Sequence, residues 1–400
     1  MNKKLNFNHT IYASFIGYVV QAVVNNFAPL LFLTFQSTYE ISLDRITLLV
    51  TFNFGIQLLV DLLSAKFVDR IGYRTCIVAA HVFAAAGILG MTVLPEILWD
   101  PFTGLLLSVA IYAIGGGILE VLVSPIVEAC PTERKEGAMS LLHSFYCWGH
   151  VGVVLISTGF FAVFGIDNWR YLAWIWAVLP LLNAVYYSRV PIAKLIEDGE
   201  REMTLRELAG TRLFWIMLLL MVCAGACEQG ISQWASAFAE MGLGVSKTVG
   251  DLAGPLLFAV LMGTSRAVYG KYSEKIKLEK FMAICGVLCL ISYLTASLSA
   301  SPVPGLIGCG LCGLSVGILW PGTFSMASAG IRRGGTAMFA LLALGGDLGC
   351  SGGPTFVGLV SEALGEDLKK GILAGAVFPV LLLIGLFLNK HFGAGKGQEA

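Results

Sequence analysis

Residues 113–125 read AIGGGILEVLVSP, and the acid at their centre decides how the chain is read. Gly115, Gly116 and Gly117 precede Glu120, Pro125 follows it, and most of what lies between is apolar. The whole chain resembles this stretch. Of its 400 residues, 56% are hydrophobic and 13% are charged, whereas a soluble globular chain carries roughly 25% charged residues. About 20 apolar residues span a bilayer as a helix. Twelve such stretches occur, near 11–35, 46–66, 75–94, 102–127, 137–162, 170–190, 212–238, 249–269, 280–299, 304–329, 335–360 and 371–389. Glu120 therefore belongs to a membrane span, the fourth. The first stretch is too long for a cleaved signal and holds Gln21, Asn25 and Asn26, so the first span is expected to stay in the mature protein.

Lys and Arg collect in cytoplasmic loops. With both termini cytoplasmic, the opposite side keeps Arg45, Arg170, Lys247, Lys369 and Lys370, and the other 21 of the 26 basic residues fall to the cytoplasmic side. That bias predicts a multi-pass protein of the cell membrane with both ends inside. The net charge of zero says nothing further about partners, and no stretch suggests a nucleic-acid surface.

The most charged segment is 191–211, PIAKLIEDGEREMTLRELAGT, which suits a cytoplasmic linker carrying a short amphipathic helix. Six spans precede it and six follow, giving an N-terminal bundle over 1–190 and a C-terminal bundle over 212–400. The halves echo each other. SPIVEACPTERKEGAM (124–139) and WPGTFSMASAGIRRGGTAM (320–338) share a Pro, a later basic residue, and a Gly followed by Ala-Met. The echo falls at spans 4/5 and 10/11, as a duplicated six-helix unit would place it. Duplicated transporters bind their solute near the midplane. The expected fold class is thus an all-α membrane protein of twelve transmembrane helices in two six-helix bundles.

This plan resembles the major facilitator superfamily. The loop after span 2, AKFVDRIGYR (65–74), is similar to the superfamily signature Gly-x-Leu-Ala-Asp-Arg-x-Gly-Arg-Arg. Asp69, Arg70, Gly72 and Arg74 match, while Ala65 and Tyr73 depart. The resemblance implies a cytoplasmic gating role for those four; a tight loop whose charges obey topology is the alternative. Within the superfamily, several stretches resemble the fucose/hexose–proton symporter group: GGGILEVLVSP in span 4, VNNFAPLLF in span 1, ACEQGISQW in span 7, LLHSFYCWG in span 5 and ILWPGTFSM in span 10. That group carries a membrane aspartate in span 1 where this chain has Pro29, so its two-carboxylate coupling does not transfer intact.

A charge at the centre of a membrane helix costs about 2.5–3.5 kcal/mol on insertion scales and marks function by default. Burial favours the protonated carboxyl. Glu120 is therefore the proton-coupling candidate, or else a hydrogen-bonded packing group. Glu228, with Gln229, Ser232 and Trp234 beside it, mixes acid, amide and indole in the way that suits a sugar, whose hydroxyls take polar partners and whose C–H faces take rings. His143 matches a cavity position in the resemblance. Asn25, Asn26, Trp320 and Asp347 are further solute-contact candidates, each with a packing alternative. Asp61, one turn from the end of span 2, suits a gate-side ion pair. His81 and His150 carry less. Cys309 and Cys312 form a Cys-x-x-Cys, but inside the small-residue helix GLIGCGLCGLSVG they read as packing residues.

No metal cluster, cofactor motif, P-loop, Gly-x-Ser-x-Gly or nucleophile–base pairing is present, so an enzyme is not expected. A non-transporting receptor would need a signalling domain, and the longest polar segment is the linker. The resulting expectation is a monomeric secondary transporter that carries a small polar solute of sugar-like chemistry with protons, its partners being solute, protons and lipid. The alternatives are a proton-coupled exporter or an uncoupled facilitator. Span 5, GHVGVVLISTG, lacks the Gly-Pro that exporters of the superfamily carry.

Overall fold

The computed structural model of the chain describes residues 5–41, 43–195, 201–232, 235, 256–299, 302–365 and 367–393. Among the described residues, a helix overlaps each of the expected stretches. The first place holds α1 (Phe7–Asn26), a 3-10 turn (Ala28–Leu31) and α2 (Phe32–Tyr39). Then come α3 (Leu43–Ile71), α4 (Tyr73–Ile97), α5 (Pro101–Ala129), α6 (Lys135–Phe164) and α7 (Trp169–Arg189). The linker holds α8 (Leu205–Gly210). After it stand α9 (Arg212–Ser232), α10 (Leu257–Tyr272), α11 (Leu278–Leu298), α12 (Pro302–Val316) and α13 (Leu319–Gly330), followed by α14 (Gly335–Ala363), α15 (Leu368–Gly375) and α16 (Val377–Gly393). Among the described residues, nine stretches are long and apolar enough to cross a membrane; α3, α10 and α14 fall outside that set. Backbone groups in hydrocarbon must be satisfied within the segment, which is why so apolar a chain is helical.

Two spans are interrupted, each for a local reason. Pro29 has no N–H to continue α1 and sits at the start of the 3-10 turn. In span 10, α12 ends at Val316 and α13 begins at Leu319, leaving the carbonyl of Gly317 outside the helical ladder. Helix starts are capped by side chains. Asp100 accepts from the Oγ1 and N of Thr103 at 2.8 and 3.1 Å, and these bonds, the hydroxyl foremost, hold its carboxyl below the usual range. Thr204 and Glu207 form a capping box at α8.

The chain divides into two compact units, residues 1–131 with 145–197, and residues 132–144 with 198–400. The start of α6 thus belongs to the second unit. The latter part of the linker is tied there as well: Met203 N donates to Arg333 O at 2.8 Å, and Arg333 Nε to Arg201 O at 2.9 Å.

Polar side chains tie the first unit together internally. His81, fully buried, lies with Nδ1 2.7 Å from Ile77 O and receives the Asn183 amide on Nε2 at 2.8 Å. The same amide nitrogen donates to Ala13 O at 3.0 Å. His81 is accordingly a neutral packing group with its proton on Nδ1. Asp61 is buried.

The signature loop shows a definite job for one of its members. Gly72 turns the chain between α3 and α4 at φ 94°, a left-handed value that favours glycine. Arg74 donates from Nη1 to Tyr187 O and Ser188 O at 2.8 and 2.9 Å and from Nη2 to Val190 O at 2.8 Å. It closes the C-terminus of α7, whose last carbonyls have no helical partner. Asp69 and Arg70 are exposed at the end of α3. Replacing Arg74 by Ala is expected to destabilise the first unit by about 1–3 kcal/mol, with Arg74→Lys recovering only part, because one ammonium cannot match the planar fork. Thermal unfolding midpoints of the two variants check this.

Candidate functional site

The site residues are described unit by unit. In the first unit, Glu120 lies about two-thirds of the way along α5, half-buried. Its Oε2 accepts from Gln21 Nε2 of α1 at 2.7 Å. Gln21 is almost fully buried, and its Oε1 has no hydrogen-bond partner among the described residues. One turn further along α1, Asn25 Oδ1 accepts from Gln57 Nε2 at 2.9 Å and from Asn53 Nδ2 at 3.4 Å, both on α3. Asn26 instead returns its amide to Ala22 O of its own helix at 2.8 Å. The structure therefore separates the adjacent asparagines. Asn25 joins a polar cluster shared with α3, whereas Asn26 is bonded locally.

The second unit contains a buried ion pair. Arg266 of α10, only 4% exposed, directs Nη2 at Glu228 Oε2 of α9 at 3.3 Å. Its Nε donates to Gly317 O at 2.7 Å, and its Nη1 to His143 O of α6 at 3.2 Å. The break in span 10 thus supplies the carbonyl that anchors the guanidinium, in keeping with the use of interrupted helices at polar sites in membranes. Arg266 was one of the 21 basic residues assigned to the cytoplasmic side; its packing removes it from that group of loop charges. Gln229 hydrogen-bonds Glu228 and accepts from Ser232 Oγ at 3.1 Å.

A row of rings stands in the same unit. His143 and Phe324 have centroids 5.8 Å apart, and Phe324 meets Trp320 edge-on at 6.4 Å. Trp320 lies on α14 at Gly346, where an added Cβ would come 2.2 Å from the indole Cη2. Asp347 follows directly on α14, half-buried. Trp234 lies outside the described residues. Glycine at 346 is what lets the indole rest against the helix. Gly346→Ala is expected to push Trp320 aside at a stability cost of about 1–3 kcal/mol, read as a lower unfolding midpoint and an altered near-ultraviolet circular dichroism spectrum.

Cys309 and Cys312 are buried on α12, and Cys312 Sγ approaches Cys227 O at 3.7 Å. Among the described residues, no group of three or more His, Cys, Asp or Glu is arranged to hold a metal ion.

Sequence reasoning selected Glu120, Glu228, Asn25, His143 and Trp320 but missed their nearest polar partners. Gln21 and Gln57 are partners set by tertiary packing. Phe324 looked like any other apolar residue. Arg266 had a usable signal, a basic residue inside a stretch otherwise long enough to span.

Comparison with known proteins agrees with this architecture. The family model described as Major Facilitator Superfamily matches residues 13–354. The membrane protein MosC of Rhizobium meliloti is 25% identical over 292 residues, 72% of this chain and 68% of MosC. The solved structure of the E. coli fucose:proton symporter FucP superposes with a TM-score of 0.80 at 16% identity, covering 96% of this chain and 99% of that one. The proton:xylose symporter XylE superposes with a TM-score of 0.77 at 13% identity, covering 97% and 96%. At these identities the structural likeness carries the fold and no more. The family match covers most of the chain and makes it a multi-pass membrane transporter, not an enzyme: the chain belongs to the major facilitator superfamily.

Proposed function

We propose that this transporter carries a small polar solute of sugar-like chemistry together with protons, by alternating access. The observation behind this reading is the Gln21–Glu120 pair. A neutral amide serves a carboxyl in either state: its N–H donates to the carboxylate, as here at 2.7 Å, and its oxygen accepts from the protonated acid. Gln21 Oε1, buried and without a hydrogen-bond partner among the described residues, is the atom the second state requires, and a rotation of the amide presents it. The Gln21 amide can thus meet Glu120 with or without its proton, as the partner of a coupling group must.

Glu228, Gln229, His143 and Trp320 are the solute contacts in this reading, joined by Asn25, Asn26, Trp234 and Asp347. Acid and amide edges beside ring faces are the mixture that hydroxylated rings need. Asp69, Arg70, Gly72 and Arg74 act at the cytoplasmic gate; Arg74 does so by holding the end of α7. FucP and XylE, which share the fold, each carry a sugar with a proton, the same kind of pair this reading assigns. In the same reading the two halves, 1–190 and 212–400, move as bundles joined by the linker 191–211, and the protein works as a monomer in the cell membrane with both termini cytoplasmic. Uptake into proteoliposomes, screened over monosaccharides with and without an imposed pH gradient, tests the proposal. Gradient-driven accumulation of a sugar supports it, and equilibration without accumulation, whatever the gradient, makes the protein a facilitator.

A further inference from the structure

Three successive glycines of α5 receive three different helices. A Cβ on Gly115 would lie 2.5 Å from Ala80 O of α4, one on Gly116 3.0 Å from Val24 Cγ1 of α1, and one on Gly117 3.2 Å from Gln57 Cα of α3. Small residues let helices approach this closely in a membrane. A helical side chain covers the turn N-terminal to its own Cα, so Glu120 stands over this bare turn. Two carboxamides reach the same place. Gln21 of α1 bonds Glu120 through Nε2 and keeps Oε1 buried without a hydrogen-bond partner among the described residues. Gln57 of α3, only 1% exposed, gives its Nε2 to Asn25 Oδ1. Its Oε1 lies against α5, 3.5 Å from where a Cβ on Gly116 would stand. One carboxyl and two amide oxygens, from three helices, thus meet over the surface of one glycine turn.

We propose that Gln21, Gln57 and Glu120 bind a sodium ion, which takes the place of the proton on Glu120; this rests on the reading of Glu120 as the coupling carboxyl. The donors are all oxygen, the preference of a hard cation. Two neutral amides and one carboxylate carry a single negative charge, which matches a monovalent ion. The spacing fits as well. Oxygen and nitrogen of a carboxamide are about 2.2 Å apart. With the Gln21–Glu120 bond at 2.7 Å, Gln21 Oε1 therefore stands within about 5 Å of Glu120 Oε2. Sodium is close in size to calcium, which holds oxygens at about 2.3–2.6 Å, so one ion bridges oxygens up to about 5 Å apart. The bound ion gives Gln21 Oε1 a partner while the carboxyl is ionised. Asn25 has a part in this arrangement too, since by taking the Gln57 N–H it turns that amide's oxygen to α5. Along the helices packed here, the nearest titratable groups are Asp61 on α3, Tyr18 on α1 and His81 on α4. His81 is neutral, held by Ile77 and Asn183, so none of them is a cation that would repel the ion. Sodium and proton exclude each other because both need the same carboxylate.

The test is equilibrium binding of radioactive sodium to the purified full-length protein at one fixed pH, with choline as the replacing cation. The expected result is saturable binding that unlabelled Na+ displaces and an equal concentration of K+ does not. Glu120→Gln is expected to lose it. Gln21→Leu and Gln57→Leu are each expected to lower the affinity about 10–100-fold, the usual effect of removing a group that sets a metal site. Glu96→Gln removes an acid at the far end of α4, in the same unit, and is expected to leave sodium binding as it was. If Glu120→Gln fails to fold, the two leucine variants carry the test with a second measurement. The unfolding midpoint of the unaltered protein is expected to rise in NaCl over choline chloride, by mass action, and that rise is expected to shrink in both variants. No saturable binding overturns the site, as does binding that survives Glu120→Gln or both leucine changes, or displacement by K+ at equal concentration. Sodium binding without accumulation of solute under a pH gradient defeats the proton reading and leaves the ion site standing. Accumulation driven by a pH gradient in a protein that binds no sodium does the reverse.

Discussion

In proteoliposomes carrying an inward proton gradient, the Glu120→Gln protein is expected to equilibrate its solute and not to concentrate it. A gradient of one pH unit holds about 1.4 kcal/mol per proton. One proton carried per solute therefore supports about tenfold accumulation in the unaltered protein, and the variant is expected to fall to a ratio of about one. Gln cannot release a proton, yet it keeps the size of the side chain and can still bond the Gln21 amide, amide to amide. Exchange of labelled for unlabelled solute at equal concentrations is therefore expected to persist. Accumulation that survives the substitution would move the coupling role to Glu228 or Asp347. This outcome separates a lost proton step from a lost fold, since a misfolded variant would fail in exchange as well.

Arg266→Met is expected to be among the most destabilising single changes the second unit can suffer. It leaves Glu228, 13% exposed, without the guanidinium and leaves the carbonyl of Gly317 without its donor. Breaking a buried pair from one side costs about 3–5 kcal/mol. The double variant Arg266→Met with Glu228→Gln removes both charges together, and most of that loss is expected to return, because isosteric replacement of a buried pair is often nearly neutral. Glu228→Gln alone is expected to weaken solute binding about 10–100-fold, the 1.5–3 kcal/mol of a hydrogen bond to a charged group, in driven uptake and in exchange alike. Unfolding midpoints of the three variants, set beside solute affinity by equilibrium binding, check both statements. Additive losses in the double variant would show that the two groups stabilise the fold independently.

The parts of this molecule that were legible in the sequence are those that depend on local composition. Apolar runs gave the places of the helices outside the linker, and the rarity of acids inside them singled out Glu120 and Glu228. Pairings were not legible. Gln21 was visible as a polar residue of span 1, but its bond to Glu120 joins positions 99 residues apart and follows from how α1 lies on α5. Arg266 sits close to the end of a weak apolar stretch, where hydropathy reads a cation as a loop charge; only packing against α9, α6 and the break in span 10 turns it inward. Arg74 matched a signature read as a gate, while its carbonyl partners belong to a helix more than a hundred residues away, and carbonyls carry no sequence mark. The adjacent asparagines had identical local credentials and were distinguished only by Asn53 and Gln57 on another helix.

The cysteines of this chain have a chemical consequence of their own. Three of the buried thiols, Cys76, Cys130 and Cys147, lie in the first unit, and six, Cys223, Cys227, Cys285, Cys289, Cys309 and Cys312, lie in the second; Cys350 alone is partly exposed. Alkylation requires a thiolate that a reagent can reach, so each buried sulfur stays silent until the helices around it come apart. The protein therefore carries its own clock for loss of structure, weighted two to one toward the second unit. On heating with a maleimide dye, units that melt separately will release signal in two steps of unequal height, three parts against six, while a single cooperative melt will release all nine at one temperature. The order of the steps names the weaker half.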